Sequence, residues 1–238
     1  MSKGTSLMDI GIIGSGNIGS TLARNLKALG HQVAIANSRG PATLVQFAAE
    51  TGVAAASVEQ AAQAKDLIII AIPQLAVSSL PLEVLRGNSA VVVDAGNYYP
   101  TRDGVVQLVD RGATDSEWVS SILGRPVVKA FNNILAASLA RRGVPQGSPE
   151  RIALSVAGDD REAKQRVQGV IQELGFDAID AGSLAESWRQ QPGTPAYCRD
   201  LNATELRAAL AAADASQVAS YRTQADEAAA PYLVPFKG

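Results

Sequence analysis

Asp9-Ile10-Gly11-Ile12-Ile13-Gly14-Ser15-Gly16-Asn17-Ile18-Gly19 decides the reading of this chain. An apolar run over 9–13 passes directly into a G-x-G-x-x-G pattern, after which Ile18, Leu22, Leu26 and Leu29 recur at helical spacing until Gly30 stops the period. A second apolar run over 33–36 follows. The stretch therefore reads as strand, turn, helix and strand within about thirty residues, the setting that gives a glycine pattern of this kind its meaning. Gly14 permits a tight turn, Gly16 lets the backbone approach a pyrophosphate, and Gly19 lets the helix pack closely on the strand. The start of the helix offers free N–H groups and the positive end of its dipole to phosphates.

Outward from this unit, short Val/Ile/Ala runs alternate with longer amphipathic stretches. Strands are expected at 9–13, 33–36, 53–54, 67–72, 91–94, 127–131, 152–157 and 178–180. Several are apolar throughout, as strands covered on both faces are. Ser57-Val58-Glu59-Gln60 has the form of a capping box and should open a helix, and Asp159-Asp160 should start another that runs to about Leu174. Beyond Asp180 the pattern changes. Gln191-Pro192-Gly193-Thr194-Pro195 interrupts the chain before an Ala-rich stretch, 203–230, which reads as one amphipathic helix carrying Leu206, Leu210, Ala213, Tyr221, Ala225 and Ala228. The expected fold is α/β, a Rossmann-type doubly wound and mostly parallel sheet over residues 1–182. Residues 183–238 should form a small C-terminal helical appendage, packed on that domain or on a second subunit in a homodimer.

Composition narrows the function. The 238 residues are 47% hydrophobic and 18% charged, with 21 Lys+Arg against 23 Asp+Glu, so no basic footprint for nucleic acid is present. One Cys and one His cannot make an intramolecular disulfide or a His/Cys metal cage. The apolar run before Pro73 is far short of the roughly 20 residues a bilayer requires, and Met1 to Ser6 lack the apolar core of a secretory signal. A cytoplasmic protein acting on a small molecule, without membrane or nucleic-acid partners, is expected.

The end of the second strand carries specificity. Sites that prefer NAD usually place an acid there for the ribose 2′-hydroxyl, whereas this chain has Asn37-Ser38-Arg39. Ser38 can donate to a 2′-phosphate and Arg39 can pair with it, so NADP(H) is expected; the alternative is a solvated loop charge. Ala71-Ile72-Pro73, Asp94-Ala95-Gly96-Asn97 and Ala130-Phe131-Asn132-Asn133 end strands at the same sheet edge, where small residues and amides suit a nicotinamide or are ordinary turn chemistry.

Taken with Val127-Val128-Lys129-Ala130-Phe131-Asn132, Ala157-Gly158-Asp159-Asp160 and Asp180-Ala181-Gly182-Ser183-Leu184, these motifs resemble, colinearly from Asp9 to Leu184, the coenzyme F420-dependent NADP oxidoreductases. The same domain is similar to the NADPH:flavin domain of the STEAP metalloreductases and, more distantly, to pyrroline-5-carboxylate reductases. The resemblance implies hydride transfer between NADPH and a deazaflavin or flavin. By position it assigns Ser15, Gly16, Asn17 and Ile18 to the pyrophosphate, Ser38 and Arg39 to the 2′-phosphate, and Ile72 and Pro73 to the ribose and nicotinamide side. Ala130 and Asn132 fall near the ring, and Ser183 and Leu184 begin the acceptor segment. The pattern departs there: Trp188 stands where the family has Arg and Gln191 where it has Glu.

Hydride transfer to a flavin-like ring asks the protein for orientation rather than a nucleophile. Reduction of an imine or carbonyl would need a proton donor, for which Tyr98, Tyr99, Lys129 and Tyr197 are the candidates. A sensor of NADPH that passes its state to a partner is a further alternative. His31 reads as structural, Cys198 as inert, and Trp188 with Arg189 as the acceptor side or a subunit contact.

Overall fold

The computed structural model describes residues 6–233; residues 1–5, which carry most of the reading of the amino terminus, lie outside them. The elements run β1 (Asp9–Ile13), α1 (Asn17–Ala28), β2 (Gln32–Ala36), α2 (Val45–Thr51), β3 (Ala54–Ala55), α3 (Val58–Ala61), β4 (Leu67–Ile70), α4 (Leu82–Gly87) and β5 (Val91–Asp94). The chain continues through α5 (Pro100–Asp103), α6 (Gln107–Asp110), α7 (Asp115–Leu123), β6 (Val128–Lys129), α8 (Ala136–Arg141), β7 (Ala153–Val156), α9 (Arg161–Glu173) and β8 (Asp177–Asp180). It closes with α10 (Ala203–Ala212) and α11 (Val218–Ala229).

Six strands form a parallel sheet in the order β3-β2-β1-β4-β5-β6. The chain moves outward from β1 to β2 and β3, then returns to β4 on the other side, so the order reverses between β1 and β4. Ligands of open α/β sheets bind in the crevice above such a point. The parallel pair β7-β8 joins the far edge in the opposite sense, through an antiparallel bridge in which Lys129 and Ala157 exchange backbone hydrogen bonds of 2.8 and 3.0 Å. The fold is thus Rossmann-type, doubly wound and mostly parallel.

Continuous apolar strands follow from two-sided burial. Ile10, Ile12, Leu67 and Ile69 face one layer with Leu22 and Leu26 of α1 and Val167 and Ile171 of α9. Ile13, Ile68 and Ile70 face the other with Leu85 of α4 and Val119 and Leu123 of α7. At about 25 cal/mol per Å² of apolar surface, both layers contribute to holding the sheet, and with it the crevice, in place.

Three expectations are corrected in extent. β4 ends at Ile70 rather than residue 72, because the chain leaves the ladder ahead of Pro73, which has no N–H to donate. β6 keeps only Val128 and Lys129 of 127–131, since the backbone turns at Phe131, whose φ is 63°. The Ala-rich stretch is two helices, not one. Asp214 interrupts it by accepting the Ser216 N–H and O–H at 2.8 Å each, a local bond that competes with helix continuation. Leu206, Leu210 and Ala213 are buried, the two leucines in a small core with Ile179 and Ala153, while α11 buries no residue fully. Tyr221 and Ala225 are half-buried and Ala228 is exposed. α11 lies instead over the segment after β5, with Asp226 accepting from Thr101 Oγ1 at 2.7 Å and Arg222 stacked on Tyr98. Among the described residues no helix is long and apolar enough to cross a membrane.

Candidate cofactor site

A cleft of about 560 Å³ opens above the point where the strand order reverses. Its floor is Gly14, Ser15 and Gly16, one end is Asn37, Ser38 and Arg39, and its opposite wall includes Ala71, Ile72 and Pro73. The three glycines of the loop do different work. Gly14 has φ +119°, and a Cβ there would stand 2.2 Å from the Ala71 carbonyl oxygen, so the turn and the contact with the end of β4 both require glycine. A Cβ on Gly19 would meet the Gly14 oxygen at 1.9 Å, which is the close helix-to-strand packing. At Gly16 the backbone is extended and a Cβ would have nothing within 4 Å. The protein itself gives no steric reason for glycine at 16; a group lying against that backbone would. Asn17 is exposed at the first turn of α1, whose N-cap Gly16 supplies no side-chain hydrogen bond; Ile18 packs on the core and Gly19 is buried.

The turn after β2 is organised by Asn37. Its Oδ1 accepts the Arg39 N–H at 2.9 Å, and its Nδ2 donates to Ser15 Oγ at 3.0 Å and Thr43 Oγ1 at 3.1 Å. Ser38 and Arg39 are exposed at the cleft, and the Arg39 guanidinium has no ion-pair partner among the described residues. Val58 and Glu59 of α3, and Ala76, Ser79, Leu80 and Pro81 beyond β4, complete the lining. Sequence reasoning did not assign these; the capping box at Ser57, which the structure forms with Gln60, marked the start of α3 but not its place beside the crevice.

The remaining candidates, Ala95, Ala130, Asn132, Asn133, Ser183, Leu184 and Trp188, do not line the cleft. They gather farther along the edge, where residues 184–198 cover the ends of β5 and β6. Asn132 donates to the Gln190 carbonyl at 2.8 Å and to Asn97 Oδ1 at 3.1 Å, and accepts from Gln190 Nε2 at 2.8 Å. Asn132 and Asn133 are buried, Leu184 belongs to the core around α7, and Ser183 is half-buried before it. Trp188 is half-buried with the Arg189 guanidinium 4.6 Å above its ring, while Gln191 is buried and donates to Asp115 at 2.9 Å.

Beneath this edge lies a buried charge network. Lys129 Nζ reaches Asp94 Oδ2 at 3.1 Å, Asp115 Oδ2 at 3.2 Å and the Gly96 carbonyl at 2.7 Å, which uses all three of its protons. Ser116 Oγ adds a 2.7 Å bond to Asp94. Burial pulls the Lys129 pKa down, but the Asp115 and Asp94 charges and hydrogen bonds together outweigh it, and the net direction is up. Lys129 is held as a cation and is a poor proton donor. Tyr98 is equally committed, donating to the Gly104 carbonyl at 2.7 Å and accepting from Val106 N–H at 3.2 Å. Tyr99 and Tyr197 share a 2.7 Å hydroxyl pair, and burial raises the pKa of both. His31 is structural in its contacts: Nδ1 accepts the Met8 N–H at 3.2 Å, so the proton sits on Nε2, 3.0 Å from Glu173. Cys198 is half-buried and burial pushes its thiol pKa up.

Comparison with known proteins meets this geometry. The family described as NADP oxidoreductase, coenzyme F420-dependent, matches residues 9–98, which span the glycine loop, the Asn37-Ser38-Arg39 turn and the wall after β4. A solved structure of a proposed F420-dependent NADP-reductase from Arthrobacter sp. FB24 is 26% identical, with TM-score 0.64 over 76% of this chain and 87% of that one. Residues 9–98 of the chain belong to this NADP oxidoreductase family. The family fold extends to protein SMa0349 of Sinorhizobium meliloti, 34% identical with TM-score 0.69 over 83% of this chain and 96% of that one. Among sequence relatives, Escherichia coli K12 protein YjhV is 52% identical over 66 residues, 27% of this chain and 48% of YjhV. Rat metalloreductase STEAP3 is 29% identical over 179 residues, 75% of this chain. The chain thus spans about half of the first relative and 34% of the second.

Proposed function

We propose that this family member is an NADPH-dependent oxidoreductase that transfers a hydride between NADP(H) and a deazaflavin such as F420, a flavin or a related acceptor. The observation that carries the reading is the exposed Ser38-Arg39 pair at the end of a cleft whose floor, at Gly16, is open to a ligand's approach. When bound, NADPH supplies the hydride and the second ring system receives it. The chain's own residues bind and orient. The loop Gly14 to Gly16 and the first turn of α1 hold the pyrophosphate, Ser38 and Arg39 hold the 2′-phosphate, and Ile72 and Pro73 wall the ribose side. The commitment of Tyr98 and Lys129 to structural bonds weighs against an imine or carbonyl reductase built on either as proton donor.

One observation favours the sensor reading: Asn132 and Asn133 are buried under residues 184–198, and Leu184 in the core around α7, instead of lining the cleft. A single assay separates the two. Purified protein is followed for NADPH oxidation with F420, FMN, FAD, a quinone and a ferric chelate in parallel, with NADH as the control donor. NADPH-specific turnover with F420 or a flavin is expected. NADPH binding with no turnover on any of these acceptors would overturn the hydride-transfer reading in favour of a sensor.

A further inference from the structure

In the turn after β2 the hydrogen bonds fix which way an amide points. Asn37 Oδ1 accepts the Arg39 backbone N–H at 2.9 Å, and a backbone N–H can only donate, so the carbonyl end of this side chain is assigned without ambiguity. Its Nδ2 consequently faces Ser15 Oγ at 3.0 Å and Thr43 Oγ1 at 3.1 Å. A serine hydroxyl has one proton to give and two lone pairs to receive with. With Asn37 donating into Ser15 Oγ, the Ser15 proton is directed away from Asn37, and Ser15 lines the cleft between Gly14 and Gly16.

We infer that Asn37 is a positioning residue that turns the Ser15 hydroxyl proton into the cleft, where it is donated to a phosphate oxygen of the bound dinucleotide. The inference rests on the NADP reading of the cleft. Asn37 need not touch the cofactor to act: one amide shapes the Ser38-Arg39 turn through its oxygen and orients Ser15 through its nitrogen, joining the two phosphate-binding ends of the site. The isosteric Asn37→Asp change separates these roles. A carboxylate keeps an acceptor for the Arg39 N–H but sets a second acceptor against Ser15 Oγ. The hydroxyl then turns inward to donate to that oxygen and is withdrawn from the phosphate.

The test is a double-mutant cycle on NADPH affinity, measured by calorimetric titration of wild type, Ser15→Ala, Asn37→Asp and the double variant, each checked for folding by thermal melting. A hydrogen bond to a charged phosphate is worth a factor of about ten or more in affinity. Ser15→Ala should therefore weaken NADPH binding at least about tenfold in the wild-type background. In the Asn37→Asp background the same change should cost less than about twofold, because the proton is already withdrawn. An equal cost in both backgrounds, or no cost in wild type, overturns the inference. Should Asn37→Asp not fold, Asn37→Ala takes its place: the freed hydroxyl rotates, and the cost of Ser15→Ala must fall below half its wild-type factor, an undiminished cost overturning the inference. If wild type binds no NADPH, the proposed function itself fails. Binding with independent effects fails only the role of Asn37.

Discussion

Replacing Arg39 with alanine removes an exposed guanidinium at the end of the cleft without touching the glycine loop or the core. A phosphate about 4 Å from such a charge gains about 1 kcal/mol in bulk water and about 4 kcal/mol at an effective dielectric of 20. A 2′-phosphate carries nearly two negative charges at pH 7, as other phosphomonoesters do, but solvent and salt screen an exposed pair. A net value of about 2 kcal/mol is expected, which is about thirtyfold in affinity. Arg39→Ala should therefore raise the Kd for NADPH about thirtyfold and leave that for NADH within about twofold. Raising salt from 0.05 to about 1 M should shrink the gap between wild type and variant, since the screening length falls to about 3 Å. Fluorescence titration of both cofactors against both proteins measures all four constants. Equal weakening of NADPH and NADH, or no weakening of either, would refute the assignment of Arg39 to the 2′-phosphate.

Two glycines of one loop should respond oppositely to the same methyl group. Gly16→Ala has open space and permissive backbone, so the melting temperature should hold within about 2 °C while NADPH affinity falls at least about tenfold. Gly19→Ala drives a Cβ to 1.9 Å from the Gly14 oxygen and should destabilise the apo protein by about 2 kcal/mol or more, read by urea unfolding. Lys129→Met leaves the buried Asp94 and Asp115 unneutralised and should cost about 3–5 kcal/mol of stability. The Lys129 pKa is raised in the folded state, so its contribution is complete below the ordinary lysine value and is lost as pH climbs through the folded one. Urea midpoints of wild type should accordingly show no loss from this group between pH 7 and 9 and a decline above the ordinary lysine range; a loss that begins near neutrality would contradict the network.

The glycine loop, the eight strands and the capping box at Ser57 were legible because each depends on neighbours close in sequence: a strand feeding a turn, or Ser57 reaching Gln60. The cleft wall around Val58 and Leu80 was not, since it arises from where α3 and the segment after β4 meet in space. Nor was the Lys129 network, whose partners Asp115 and Asp94 stand 14 and 35 residues away and look like ordinary strand and helix ends in the sequence. The Ala-rich tail misled for a local reason: alanine favours helix so uniformly that the periodicity passed through Asp214, whose side chain caps a new turn instead. Trp188 shows the limit of reading by position. The resemblance leads one to expect Arg at this position, and in the structure the Trp188 ring carries the guanidinium of the next residue, Arg189, which is also paired with Glu186 at 2.6 Å.

The central claim is that the cleft over β1 and β4 holds NADP(H) by its 2′-phosphate. A crystal structure of the protein soaked with NADP⁺ tests it most directly. The account predicts the 2′-phosphate between the Ser38 hydroxyl and the Arg39 guanidinium, the pyrophosphate against Gly14 to Gly16, and the Ser15 hydroxyl within hydrogen-bond reach of a phosphate oxygen. A dinucleotide bound elsewhere on the chain, or seated in the cleft with its 2′-phosphate turned to solvent away from Arg39, would contradict it.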